Sequence, residues 1–350
     1  METIDLALRT LFQEFSESVF VRRKLENELS KIPVYVAKNI RKQKYWYQQR
    51  YTEQGMQQEY IGAHSPQLEK QVSNTRAQRK KLVTNISALK RIESKHITVL
   101  KRAKIPHVDS ISSSLLITLS EQEICYRHGV LIGSHAFASF AGLLGKEFAH
   151  VSLRTLDIDV ARDFHSPSPY ELIELVSLFP KHLQDEFHEV PGFDHKSLPS
   201  AFKGPSNLRL DLLVPQKGKA IKNAVFPGVR GAGAQALPFL DYLLEETVDA
   251  VLLGTKEGIP VTVPHPTRFA FHKMLIAQRR PVTEQAKKAK DLLQASQLLV
   301  ACAQEMPHEL KAAYKACLKQ SKACEKALKL SAKHLSEEAL DVVSQLMERV

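Results

Sequence analysis

The stretch TLDIDVA, residues 155–161, places two carboxylates inside an apolar run. As a β-strand it directs Asp157 and Asp159 to one face and its apolar side chains to the other, because successive side chains alternate. Two like charges on one face repel each other unless water screens them or a cation lies between them. The stretch therefore predicts a strand whose acidic face is either solvated or bound to a cation.

Two further features of the middle region bear on that choice. Asp211 lies in a second apolar strand, NLRLDLLVP, and Gly133-Ser134 connect the strand GVLI to a following helix. A strand that turns through glycine into a helix exposes backbone N–H groups at the positive end of the helix dipole, which suits a phosphate. A tight packing turn explains the same glycine, so neither feature decides the function alone.

Together these features predict a metal-dependent site. If the two strands are neighbours, three carboxylates converge beside the Gly-Ser turn. Mg2+ and Mn2+ bind oxygen ligands, and Mg2+ sites usually keep positions for water and substrate phosphates. Two such ions can activate an attacking hydroxyl and stabilise a leaving pyrophosphate. For each aspartate alone, a solvated strand face or strand end is the alternative.

The combination of Gly-Ser, Asp-x-Asp on a strand and a third Asp on a later strand resembles the DNA polymerase β-like nucleotidyltransferase superfamily. The gap from Ser134 to Asp157 is longer than in the polymerases and resembles bacterial branches that include abortive-infection and toxin-type nucleotidyltransferases. From Lys44 to about Ala295 the sequence also resembles a further, poorly characterised bacterial family of nucleotidyltransferases. The segments that carry this similarity are YWYQQR…GMQQEYIG within residues 44–62, VPHPTRFAFHKMLIAQRR at 263–280 and KKAKDLLQA at 287–295.

The resemblance implies which residues hold the metal ions. Asp157 and Asp159 would bind both ions, Mg2+ or Mn2+. Asp211 would bind the ion that activates the acceptor hydroxyl and would act as or beside the general base.

The resemblance also implies a nucleotide-binding set. Gly133 and Ser134 would hold the β- and γ-phosphates of an incoming NTP. Lys273 would contact the triphosphate, and Arg268 is a weaker candidate for the same contact. For an isolated helix lysine, a solvated position is the ordinary alternative.

The predicted fold is α+β and has three regions. Residues 1–105 form a basic module of helix, β-hairpin and long helix, with the hairpin at 44–62. Residues 106–280 form the polymerase β-like core, a mixed sheet with flanking helices, and residues 281–350 form an α-helical bundle. The helices expected after the long helix lie at 119–128, 135–145, about 169–178, 282–303, 307–331 and 335–349.

The net charge of +11 comes from the front of the chain. Lys and Arg number 21 against 10 Asp and Glu in residues 1–104, but 28 against 28 in residues 105–350. Eleven basic residues lie in residues 69–104, where Glu69 and Glu93 are the acidic ones. This concentration is typical of a surface that binds a polyanion, although a solvated helix face is the alternative.

Nucleic acid is the polyanion that fits best. Four residues of the long helix, Arg76, Arg79, Lys80 and Lys81, are the predicted phosphate contacts. Tyr45, Trp46 and Tyr47 either stack on bases or form the core of the module. The expected acceptor is RNA, with transfer RNA suggested by analogy, or DNA.

Composition sets two further expectations. The chain has no window of about 18 apolar residues, and its start, METIDLALRT, lacks the apolar stretch of a secretory signal, so a cytoplasmic protein without membrane association is expected. The four cysteines lack metal-ligand spacing and are expected to be reduced and buried.

Three other classes fit part of the pattern. Asp-Ile-Asp-Val also matches phosphatases with an aspartate nucleophile, but their later Gly-Asp-x-x-x-Asp element is absent. A glycosyltransferase would leave Gly133-Ser134 and Asp211 unexplained. A non-catalytic nucleic-acid-binding protein on this scaffold is the third alternative.

The sequence therefore predicts a Mg2+-dependent nucleotidyltransferase that moves NMP from an NTP, such as ATP, to a hydroxyl of RNA or another nucleic acid. Transfer to a protein or small molecule, and a partner protein of the toxin–antitoxin type, stay open.

Overall fold

The computed structural model describes residues 2–52, 55–149, 156–163, 172–191, 197–216, 218 and 223–348. Its helices are α1 Leu6–Lys31, α2 Pro66–Arg102, α3 Ser110–Glu121, α4 Gly133–Leu144, α5 Leu240–Leu244, α6 Pro266–Ala277, α7 Gln285–Glu305, α8 Pro307–Gln320, α9 Lys322–Ala332 and α10 Glu337–Glu348. Its strands are β1 Val34–Ile40, β2 Gln43–Thr52, β3 Gly55–Ala63, β4 Val130–Ile132, β5 Asp157–Ala161, β6 Ile173–Glu174, β7 His188–Glu189, β8 Ala201–Lys203, β9 Arg209–Pro215, β10 Ala224–Val225, β11 Val229–Arg230, β12 Gly233–Leu237, β13 Thr247–Leu253 and β14 Gly258–Pro264.

The chain forms two compact units, and the divisions fall within α1 and α2. The smaller unit is Glu14–His96, and the larger one combines Met1–Gln13 with Ile97–Val350. The predicted boundaries at residues 105 and 280 do not coincide with this division. The C-terminal helices belong to the same unit as the main sheet, and Leu298 of α7 shares one apolar core with Leu212 of β9.

The smaller unit contains a three-stranded antiparallel sheet in the order β1-β2-β3. The pairing of β2 with β3 confirms the predicted hairpin, although Gln54 of its expected turn lies outside the described residues. Strand β1 was not predicted from the sequence. Its last four residues are exposed, so it lacks the alternation of buried and exposed side chains that signals a strand.

The larger unit is built on a mixed sheet, which confirms the predicted α+β class. Its central order is β10-β12-β9-β5-β4. Strands β5, β9 and β12 are parallel, whereas β4 runs antiparallel to β5 and β8 runs antiparallel to β9. Strands β13 and β14 form a separate antiparallel pair.

Three predicted helices differ from the structure. The helix expected at 119–128 is wrong in position: α3 begins after Asp109, whose carboxylate accepts hydrogen bonds from the backbone N–H groups of Ile111 and Ser112. The helix expected at 307–331 is divided at Ser321, which has an extended backbone and caps α9. Of the segment 169–178, the described part forms β6 and a single 3-10 turn, Leu175–Leu178.

Two expectations from composition can be compared with the structure. No helix in the described part of the chain is both long and apolar enough to cross a lipid bilayer. All four cysteines are free and buried, as predicted.

Candidate functional site

The two acidic strands are neighbours. β5 and β9 pair in parallel, and their register places Asp159 directly opposite Asp211. Both residues line a cleft of about 400 Å³. Asp157 lies two residues before Asp159 on the same strand face and is exposed. The sheet thus brings two of the three predicted carboxylates side by side at the cleft, with the third next to them.

Gly133 brings the start of α4 against these carboxylates. Its φ of +72° favours glycine, and a Cβ atom on this residue would lie 2.3 Å from Oδ2 of Asp159. Strand β4 places the preceding residue, Ile132, opposite Asp159. The backbone N–H groups at the N-terminus of α4 therefore begin beside the Asp159 carboxylate, and no larger residue fits there without displacing it.

Asp159 lies close to two other carboxylates, those of Asp211 and Asp157. The pKa of Asp159 is raised to about 6, first by burial and then by the charges of Asp211 and Asp157, while Lys273 and Arg209 lower it by less. At neutral pH the group is mainly ionised, but the ionised form is disfavoured. A cation near Asp159 would reverse this disadvantage.

Asp211 already has a cationic partner. Nε of Arg209 lies 2.8 Å from Oδ2 of Asp211, and its NH2 group lies 2.9 Å from Oδ1. The Arg209 side chain is 44% exposed and the Asp211 side chain is 15% exposed. The guanidinium thus approaches Asp211 from the solvent side, and this bidentate pair occupies both oxygens of the carboxylate.

A second charged group lies across the cleft. Nζ of Lys273 is 2.7 Å from Oδ1 of Asp291, and Nε of Arg280 is 3.0 Å from Oδ2 of the same carboxylate. Lys273 and Arg280 both line the cleft, and Lys273 is 7% exposed. Lys273 is therefore not a solvated helix lysine, and Asp291 holds the two cations in place.

Lys290 was not assigned a function from the sequence, although it lies in the matched segment KKAKDLLQA. Its Nζ donates a hydrogen bond of 2.8 Å to Oγ of Ser134, the residue after Gly133. Burial lowers the pKa of Lys290, as does the charge of Lys273. Among the described residues no carboxylate forms an ion pair with Lys290, so its charge faces a neutral hydroxyl at the start of α4.

Beside the polar residues Gln235, His272 and Arg279, the remaining wall of the cleft has a large apolar part. Side chains from β9, the β12–α5 segment and α6 form it: Leu213, Leu237, Pro238, Leu240, Leu243, Phe269 and Ile276. A cleft with carboxylates, buried cations and an apolar wall has the polar and apolar groups that a nucleotide requires.

Comparison with known proteins agrees with this chemistry. A family model described as a nucleotidyltransferase matches residues 111–319, which is 209 of the 350 residues. The chain belongs to the nucleotidyltransferase family. Searches of curated proteins and of solved structures gave no match. The matched range includes the three aspartates, the Gly-Ser turn, Lys273 and Lys290. Family membership supports the predicted nucleotidyl transfer in general. The substrate, the acceptor, the metal and the relation to abortive-infection and toxin-type branches stay predictions.

Arg268 of this nucleotidyltransferase lies away from the cleft. Its guanidinium donates to Oε2 of Glu245 at 2.7 Å, to Oε1 of Glu246 at 2.9 Å and to the backbone oxygen of Tyr242 at 3.0 Å. The side chain is buried and is not among the cleft-lining residues. These contacts give Arg268 a structural function, joining α6 to the segment after α5.

The predicted nucleic-acid contacts of the nucleotidyltransferase divide into two pairs. Arg76 donates to the backbone oxygen of Tyr35 at 3.2 Å, and Arg79 donates to the backbone oxygens of Leu29 and Ile32. Both arginines therefore stabilise the smaller unit. Lys80 and Lys81 are exposed.

Proposed function

We propose that this nucleotidyltransferase moves NMP from an NTP to a hydroxyl acceptor and releases pyrophosphate at the cleft lined by Asp159 and Asp211. The observation that carries the proposal is the parallel register of β5 and β9. It places two carboxylates side by side next to the N-terminus of α4. This arrangement combines a site for cations with backbone donors for phosphate oxygens.

The donor set fits Mg2+ or Mn2+, and Asp157, Asp159 and Asp211 would hold the ions. The fit rests on hard oxygen donors and on the position of Asp159, whose pKa is raised first by burial and then by the neighbouring charges of Asp211 and Asp157. Within the described part of the chain, no three His, Cys, Asp or Glu side chains are grouped to hold a metal ion as they stand, and Asp211 is paired with Arg209. When bound, the ions would supply charge neutralisation at the phosphates and polarisation of the acceptor hydroxyl.

The proposed reaction forms one bond to the α-phosphorus of the NTP and breaks another. The acceptor oxygen forms a bond to the α-phosphorus, and the bond from that phosphorus to the bridging oxygen breaks, so pyrophosphate leaves with the electron pair. The proton of the acceptor hydroxyl passes to Asp211 or to water beside it. Gly133, Ser134 and Lys273 hold the β- and γ-phosphates through backbone N–H groups, a hydroxyl and an ammonium group.

We further propose that the acceptor is nucleic acid, with RNA favoured. Residues 14–96 contain 17 Lys and Arg against 8 Asp and Glu, so the smaller unit carries +9 of the net charge of +11. The exposed Lys80 and Lys81 belong to this charge. Long-range attraction to phosphate is the expected consequence.

The test is incubation of the purified protein with each α-labelled NTP, Mg2+ and total RNA, DNA or protein. Asp159→Asn and Asp211→Asn should each lower label transfer by at least about 100-fold, because they remove charge where the ions bind. Asp185→Asn is the matched control, since Asp185 is exposed on a turn outside the cleft. Transfer at the wild-type rate by Asp211→Asn would contradict the proposal, and the labelled fraction identifies the acceptor.

A further inference from the structure

The three-stranded sheet of the smaller unit has two unlike faces. Trp46 of β2 is 1% exposed and packs with Tyr35 of β1 and Val72 of α2. Helix α2 therefore covers this face. Tyr45 and Tyr47 flank Trp46 in the strand and project from the opposite face, because side chains alternate.

The opposite face carries a cluster of three tyrosines. Tyr60 of β3 is the register partner of Tyr47, and their ring centroids are 5.6 Å apart. The ring centroids of Tyr45 and Tyr60 are 6.1 Å apart. Tyr60 is 55% exposed, so the cluster is open to solvent along the sheet.

A lysine accompanies the aromatic rings. Nζ of Lys38 on β1 lies 4.7 Å from the centroid of the Tyr47 ring. Lys38 is exposed and is the register partner of Tyr45. The face thus offers flat rings and a cation within one stretch of sheet.

This combination matches the chemistry of a single-stranded nucleic acid. Unpaired bases stack on aromatic rings whatever their identity, while cations next to the rings contact the backbone phosphates. A duplex does not offer its base faces for stacking, so exposed aromatic rings favour a single strand. The +9 charge of the unit complements the phosphate backbone.

We propose that this face of the sheet binds a single-stranded nucleic-acid segment, with bases stacked on Tyr47 and Tyr60 and phosphate beside Lys38. The inference rests on the proposed function in one respect: this face would hold the acceptor strand only if the protein transfers NMP to nucleic acid. Binding itself needs neither NTP nor catalysis and can be measured separately.

The experiment is fluorescence anisotropy of the full-length protein with labelled 12-nucleotide oligo-U, oligo-dT and a 12-base-pair duplex, without NTP or divalent ions. Wild type should bind the single strands more tightly than the duplex. Tyr47→Ala and Tyr60→Ala should each weaken single-strand binding about ten-fold, whereas Tyr47→Phe, which keeps the ring, should stay within two-fold of wild type. Lys38→Gln should weaken binding several-fold, and Lys287→Gln on α7, also exposed but outside the smaller unit, should have no effect.

A second measurement makes the result independent of variant folding. Ultraviolet cross-linking of wild type to oligo-U, followed by peptide mapping, should recover peptides that contain Tyr45, Tyr47 or Tyr60. Absence of single-strand binding, unchanged binding by both alanine variants, or cross-links confined to other peptides would each overturn the inference. If the tyrosines bind single strands but no NTP is ever transferred, this inference stands and the proposed catalytic function falls.

Discussion

Asp159 is a carboxylate of the site whose pKa is strongly affected by its surroundings. It lies opposite Asp211, near Asp157, and against the glycine that begins α4. Its carboxylate is partly buried beside like charges and has no ion pair among the described residues, and its pKa is raised to about 6. Groups of this kind are retained at functional sites because the energetic disadvantage in the free protein becomes an advantage when a cation binds.

The raised pKa predicts a pH-dependent stability. Because the folded state binds this proton more tightly than the unfolded state, the stability due to protonated Asp159 is present below about pH 4 and is lost as pH rises through about 6. Asp159→Asn should therefore stabilise the protein by on the order of 1–2 kcal/mol at pH 7.5 and by less at pH 4.5. Calorimetric unfolding without divalent ions measures this, with Asp185→Asn as control. An equal gain at both pH values would show that Asp159 is not the cause.

Lys290 is the second residue that we expect to matter for the nucleotide. Its ammonium group bonds Ser134 and has no carboxylate partner in the described residues, so a phosphate oxygen would add a charge-assisted hydrogen bond. Lys290→Gln should lower NTP affinity about ten-fold, a change of about 1.4 kcal/mol, and leave NMP affinity unchanged. Isothermal titration with paired NTP and NMP gives the comparison, and Lys287→Gln on the same helix is the control. Equal losses for NTP and NMP would indicate a structural defect instead.

Helix α2 carries basic residues of two kinds: some face solvent, and others bind backbone oxygens of the same unit. At 100° per residue, Val72, Ile86 and Ile97 share a buried face, and Lys81 and Lys95 lie on the side opposite to it. The arginine at position 79 points instead toward backbone oxygens near the end of α1. Basic residues close together in sequence therefore have different functions.

This division predicts opposite effects for neighbouring substitutions on α2. Lys80→Gln with Lys81→Gln should weaken nucleic-acid binding and reduce the slope of log K against log salt by about 1.4 for a single strand, at about 0.7 per phosphate contact. Arg79→Gln should instead lower the unfolding temperature, because partly buried carbonyl oxygens lose their donor. Binding titrations from 50 to 200 mM salt and thermal unfolding distinguish the two. A stability loss in the lysine variant without a change in slope would argue against the solvent-face assignment.

At the scale of the whole molecule, charge and chemistry are separated between the two units. Glu14–His96 carries +9 of the net charge, whereas the unit with the cleft carries the remaining +2 despite 32 Lys and Arg. The larger unit uses its cations locally, as Lys273, Arg280 and Arg209 illustrate at the cleft. The smaller unit has too few carboxylates to neutralise its Lys and Arg side chains, so its surface should attract polyanions.

Local patterns allowed much of this to be predicted. The alternation in TLDIDVA and NLRLDLLVP predicted strands β5 and β9 and the shared face of Asp157 and Asp159. Glycine before a helix predicted the β4–α4 junction. The start of α3 was misplaced because the cap at Asp109, not the apolar run, determines where the helix begins. Exposed strands such as β1 gave no periodic signal.

The sequence by itself therefore determined the class of the fold, the acidic strands, the Gly-Ser turn and the nucleotidyltransferase family, because these depend on residue type and on spacing along a few residues. Only the tertiary structure decided which groups meet. It placed Asp159 opposite Asp211, paired Asp211 with Arg209, directed Arg268 away from the cleft and brought Lys290 to Ser134 across 156 residues. Such contacts depend on strand register and helix packing between distant segments, and local periodicity carries no information about either.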